Sequence, residues 1–199
     1  SCTDTGLTNN TAYYYKIFTQ DSNKNYSSTG VVPTGSPVTP KVLTTLGNGT
    51  DGSSSTIGPG VAATEVDRFS LVASAGTDTV TAATVTLNPA GAFNNIATVA
   101  VQSISGATTY CSGTPSSNVV SLTSCTIPVT ITPTDFKVVI TPKTHAAMPA
   151  VPGASYATTA LVTGWTGTNP HAGSDTGSAT ITVDNLSPAN VTAATVTAA

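Results

Sequence analysis

The side chains best equipped for chemistry are few. His145 in "PKTHAAMP" and His171 in "TNPHAGSD" are the two histidines, each in a segment rich in Pro or Gly. They form no HxxxH pair and no cysteine stands near either, so no zinc ligand set is spelled out. Serines abound, but no GxSxG turn fixes a nucleophile. Two solvent-facing loop histidines and no enzyme are the expectation. "DSNKNY" sets Asp21, Asn23 and Asn25 at alternate positions, as the first half of a calcium loop does. Tyr26 replaces the required Gly, however, and no bidentate Glu follows. Asp184 and Asn185 stand at a domain boundary, where an ion can stiffen a linker. Hairpin and turn chemistry explains both sets equally well; calcium is possible and no cofactor is expected.

Cysteines bear on compartment. Cys111 and Cys125 bracket "CSGTPSSNVVSLTSC", a turn-rich loop followed by a short strand, the spacing of a bridge that closes a local excursion between adjacent strands. The alternative is two small buried thiols. A disulfide favours an oxidising, extracytoplasmic setting. Cys2 is left as a free thiol or as half of a bridge to another chain.

Composition narrows the partners. The 199 residues are 39% hydrophobic, enough for a real core, but only 8% charged, against about 25% in an average globular protein. Thr, Ser, Asn, Ala and Gly take the place of the charges. Net charge −3 with six scattered basic residues offers no track for a phosphate backbone, so nucleic acid is not expected. No apolar run approaches the roughly 18 residues of a membrane span, and no signal peptide is recognisable.

The elements that must position these residues read as strands. Alternation and β-branched enrichment mark "TAYYYKIFTQ", "RFSLVAS", "TVTAATVTL", "IATVAVQSI", "SNVVSLT", "TIPVTIT", "FKVVITP", "YATTALVTGW" and "SATITVDN", separated by clusters of Gly, Pro, Asn and Ser. Helix has little support, because Thr and Val form helices poorly and thirteen prolines punctuate the chain.

Residues 1–38 carry a resemblance. "DTGLTNNTAYYYKIFTQDSNKNYSS", with Leu7, Thr11 and Tyr13, resembles the last third of a fibronectin type III module. That resemblance makes Tyr13 the tyrosine-corner residue, whose hydroxyl ties the strand crossing to nearby backbone. "YSSTGVV" then completes the module before a Pro-rich linker, "PTGSPVTP". Residues 39–185 are expected to form a larger immunoglobulin-like sandwich, similar to tandem-repeat modules of bacterial secreted and surface fibre proteins. The implied fold class is all-β, built of antiparallel Ig-like and fibronectin type III-like β-sandwiches. The same fibre modules suggest a self-made isopeptide link between Lys137 and an Asn beside Glu65, for which an exposed salt bridge is the preferred alternative.

Residues 186–199 read as a terminal strand entering a next module or a neighbouring subunit, so that the chain begins inside one module and ends at the start of another. VTAATVT occurs twice, at Val80–Thr86 and Val191–Thr197. The second copy, with Val191, Ala193, Thr195, Val196 and Thr197, carries no Lys, Glu or Pro to guard it as an edge. It suits donor-strand addition; a disordered tail is the alternative. The expected role is a repeat unit of an extracellular, cell-surface filament, partnered by copies of itself head to tail. An adhesin or carbohydrate-binding accessory module is the alternative, for which Trp165, Tyr156, Tyr110 and Tyr14 are the aromatic candidates.

Overall fold

The computed structural model describes residues 3–149 and 153–186. The chain divides into two compact units, residues 1–42 and 43–199, and among the described residues it is all-β with no α-helix.

The first unit is an open antiparallel ribbon. Tyr13, Ile17 and Gln20 bridge to Val38, Val31 and Tyr26. The long strand expected over residues 11–20 is thus reduced to isolated bridges. Strand stability comes mainly from a face packed on a second layer, and none of residues 3–42 is buried. The expected linker is part of this ribbon: Val38 exchanges backbone hydrogen bonds with Tyr13, and Pro40 O accepts from Asn10 N–H.

The second unit is a sandwich. Its strands are β1 (Thr44–Asn48), β2 (Ser55–Ile57), β3 (Thr64–Ala73), β4 (Asp78–Val80), β5 (Ala82–Asn88), β6 (Ile96–Ser103), β7 (Thr109–Gly113), β8 (Val119–Leu122), β9 (Ile127–Val129), β10 (Thr134–Pro142), β11 (Ser155–Thr166), β12 (His171–Gly173) and β13 (Ile181–Asp184). One sheet runs β12-β1-β3-β10-β6-β7, the other β2-β13-β11-β5-β8, and β4 pairs with β9. Period-two alternation sends Phe69, Leu71 and Ala73, then Val85 and Leu87, then Phe136, Val138 and Ile140 into the core. Phe69 stacks on Phe136 at 5.7 Å, and Tyr110 meets Phe136 edge-on at 5.5 Å. Each fully buried phenyl ring contributes about 1.5–3 kcal/mol.

Two departures from the sequence reading matter. "TVTAATVTL" is split between β4 and β5 at Thr81, whose N–H donates to Thr166 O and whose carbonyl accepts from Cys125 N–H. There the chain steps from the small ladder into the five-stranded sheet. Nor is the sandwich wholly antiparallel. The segments 49–54 and 174–180 each carry the chain from one sheet to the other, side by side and in the same sense. β1 therefore pairs parallel with β12, and β2 parallel with β13. The crossings are laced together: Gly177 N–H donates to Asn48 Oδ1 and Thr180 N–H to Ser54 Oγ, both at 2.9 Å.

Candidate interaction surface

The ribbon of residues 3–42 presents apolar side chains without a core to receive them. Tyr14, Tyr26 and Val31 are each about 70–80% exposed, and Ile17, Phe18, Val32 and Val38 are also exposed. Among the described residues, one side of this ribbon has no partner strand. The amides of Tyr13, Tyr15, Ile17 and Thr19 all point inward, to Val38 O, Ser36 Oγ, Val31 O and Ser27 Oγ. Alternation along an extended chain turns the amides of Tyr14, Lys16 and Phe18 the other way. Such an edge can accept another strand, and Lys16 is the one charged guard on it. Beside it, Tyr14, Tyr15, Lys16, Val32 and Ser36 line a groove of about 290 Å³.

Local chemistry keeps the ribbon folded. The Tyr13 hydroxyl accepts from Thr8 N–H at 2.7 Å, the bond a tyrosine corner makes to backbone a few residues upstream. The far end of the Phe18 ring lies over Gly30, where an added Cβ would stand 2.8 Å from it. Asp21 closes the hairpin: Oδ1 accepts from Asn23 N–H and Asn25 N–H, both at 2.9 Å, and Oδ2 from the Asn25 amide at 3.2 Å. The Asn25 bonds above all hold its carboxyl below the usual carboxylate range. The three calcium candidates are engaged with one another as a turn. Asp184 accepts from Leu186 N–H (3.0 Å), a local turn, and from the hydroxyl of its cross-strand partner Ser155 (3.4 Å).

The remaining candidates are dispersed. Cys111 of β7 and Cys125, just beyond β8, form a disulfide with Cα atoms 4.7 Å apart, linking the edge strands of the two sheets. Glu65 is held by Arg68, with Nε–Oε1 2.7 Å. Lys137 is the register partner of Arg68, and its Nζ lies beside Gly106, so Glu65 and Lys137 are not drawn together. His145 is exposed and its Nδ1 meets Asn185 Oδ1 at 2.5 Å. His171 is no loop residue but opens β12, its ring 4.8 Å from that of Trp165. The three candidate sugar-stacking aromatics of the sandwich, Tyr110, Tyr156 and Trp165, are not gathered into one platform. Tyr110 packs on Phe136, while Tyr156 and Trp165 stand at opposite ends of β11, about 30 Å apart along a strand of this length. Tyr14 belongs to the ribbon. Tyr156 does line a cleft of about 320 Å³ with Pro89, Asn94, Asn95 and Pro149.

Cys2 and the second VTAATVT copy, Val191–Thr197, lie outside the described residues. Among the described residues no group of three His, Cys, Asp or Glu is arranged to hold a metal ion, and no helix is long and apolar enough to cross a membrane.

The surface that sequence reading missed is the ribbon's open edge. Its signal was the alternation of Tyr13, Tyr15 and Ile17 with Tyr14, Lys16 and Phe18, apolar on both faces where a half-covered strand has one polar face. No protein-family model matches the chain, and no curated protein matches it.

Proposed function

We propose that the chain is a structural unit of an extracellular, cell-surface filament or fibre, assembled head to tail by β-strand addition. The observation that carries this reading is the open edge at Tyr14–Phe18, flanked by exposed apolar side chains. The donor is the second VTAATVT segment of a neighbouring copy, an uncharged sequence whose modest side chains suit main-chain pairing over a shallow groove. Because donor and acceptor are different surfaces, the contact is heterologous and propagates rather than closes. The disulfide across the sandwich edges suits the oxidising setting that such a fibre occupies. The chain has no catalytic part in this reading; it bears load and spaces modules.

Electron microscopy of the purified chain beside the same chain ended after Ser187 tests it. Filaments from the longer form that vanish on truncation are expected. Monodisperse particles in both samples would overturn assembly through this strand.

A further inference from the structure

Three carboxylates meet where the two crossings pass over β3. A bulge in β3 leaves Val66 unpaired against β10 and makes Val66 and Asp67 face inward in succession. Asp67 is 0% exposed, Asp175 of the 174–180 crossing is 9% exposed, and Asp51 of the 49–54 crossing is half-buried. Asp175 Oδ2 accepts from Val162 N–H of β11, and Asp51 Oδ1 from Arg68 N–H of β3, both at 2.9 Å. Each crossing is thereby pinned to one sheet. Both Asp67 oxygens and Asp175 Oδ1 are buried with no donor; Asp51 sits on the amide next to Asp67, the 174–180 crossing is tied beside it by Ala179 N–H on Val66 O, and both Asp175 and Asp51 act on the Asp67 carboxyl. An ionised carboxylate left so costs several kcal/mol.

No cation answers this charge from the neighbouring elements. On β3, Arg68 is taken by Glu65. On β10, Lys137 reaches toward Gly106, and Asp135 is exposed. On β11 the titratable group is Tyr156, about 20 Å along the strand from Val162, and on β13 it is the terminal Asp184. β1 brings only the neutral Asn48, whose Oδ1 is occupied by Gly177 N–H. Burial first, then the Asp175 charge, pushes the Asp67 carboxyl up to about 9. Asp175 is also raised, by burial.

We propose that Asp67 and Asp175 hold one proton between them at neutral pH, and that this proton fastens the 174–180 crossing to β3. The Asp67 carboxyl O–H donates to the free Oδ1 of Asp175, whose other oxygen stays on Val162 N–H. Losing the proton leaves three carboxylates in one buried space, and their repulsion drives the 174–180 crossing off β3. The seam between the sheets is then a pH-sensitive lock. Between the ordinary Asp value of 3.8 and about 9, the folded chain keeps a proton that the unfolded chain has released. Stability therefore falls steadily as pH rises through that window and levels off above it.

Carboxyl-carbon NMR of the aspartate-labelled full chain, with melting temperature followed from about pH 6 to about pH 10, tests the lock. Expected are one carboxyl resonance titrating near pH 9 and a melting temperature that drops over this range. In Asp67→Asn that resonance disappears and the melting temperature stays level. If Asp67→Asn fails to fold, Asp175→Asn is informative: its amide can donate to an ionised Asp67, so the late titration moves to lower pH. Every aspartate of the wild-type chain titrating in the ordinary range would overturn the proposal. So would calcium at neutral pH raising the melting temperature of the wild type but not of Asp67→Asn, which would make a metal ion the occupant.

Discussion

Asp78 and Asp67 are both buried aspartates, and their surroundings give them opposite chemistry. Asp78, 6% exposed, accepts from Thr44 Oγ1 (2.6 Å), Thr79 N–H (2.8 Å), Thr168 N–H (2.8 Å) and Asn169 N–H (3.3 Å). Burial alone would raise its carboxyl, but these donors together outweigh burial and hold it below the usual range. Its contribution is therefore present above the ordinary Asp value near 3.8 and is lost as pH falls through its lowered folded value. Asp78→Ala strands donors from β1 and the segment before β12, and is expected to cost about 3 kcal/mol or more in chemical denaturation at neutral pH. The deficit should shrink as pH falls below the ordinary Asp range; a deficit that persists unchanged in acid would show that the charge is not what binds these segments. Neither residue's role was legible in the sequence. "GTDT" looks like any turn aspartate, and strict alternation back from Phe69 puts Glu65 on the core face together with Asp67, so nothing singles Asp67 out. The bulge at Val66 breaks that parity, and a bulge leaves no signature in a run of β-branched residues.

Among the elements, the long strands were readable, and so were the short β8, β9 and β13 within "SNVVSLT", "TIPVTIT" and "SATITVDN"; four other short strands were not. β3, β5, β6, β10 and β11 each carry enough alternating apolar residues to declare a buried face. β1 ("TTLGN"), β2 ("STI"), β7 ("TYCSG") and β12 ("HAG") are short, polar or Gly-bearing, and tertiary pairing alone makes them strands. Gly173 illustrates this dependence. It sits at φ +77°, and a Cβ there would stand 2.0 Å from Leu46 O on β1, so only glycine lets β12 lie against β1. Gly173→Ala is expected to break the parallel β1–β12 pairing and to cost about 2–4 kcal/mol. Loss of amide exchange protection at Thr44, whose N–H donates to Pro170 O, is the local readout. A variant with wild-type stability and protection would mean that β12 is dispensable. The ribbon of residues 3–42 shows the converse: its residues have ample strand propensity, yet pairing falls to isolated bridges because no second layer covers them.

At the scale of the whole molecule, the sandwich is closed on its two flanks by different means. One flank carries the Cys111–Cys125 disulfide between β7 and β8, and the other carries the paired crossings over Asp67. The covalent closure was legible from cysteine spacing; the other depends on contacts between segments more than a hundred residues apart, such as Gly177 with Asn48, which no local pattern encodes. Replacing both Cys111 and Cys125 by Ser is expected to lower stability by about 3 kcal/mol, the chain-entropy value for a loop of this length. Denaturant unfolding with and without reductant checks it, since the wild type under reduction should match the double variant. Unequal losses would mean that the serine hydroxyls, and not the open loop, set the cost.

The two parallel pairings also decide how the sandwich meets tension. Its first strands, β1 and β2, run alongside its last, β12 and β13, in the same direction. Force applied at the two ends of the sandwich therefore pulls each pair lengthwise in opposite senses. The ladder bonds are then loaded together in shear, where an antiparallel terminal pair would peel open one rung at a time. Mechanical resistance in this sandwich is concentrated in that seam, and the seam includes the crossings that Asp51 and Asp175 pin in place.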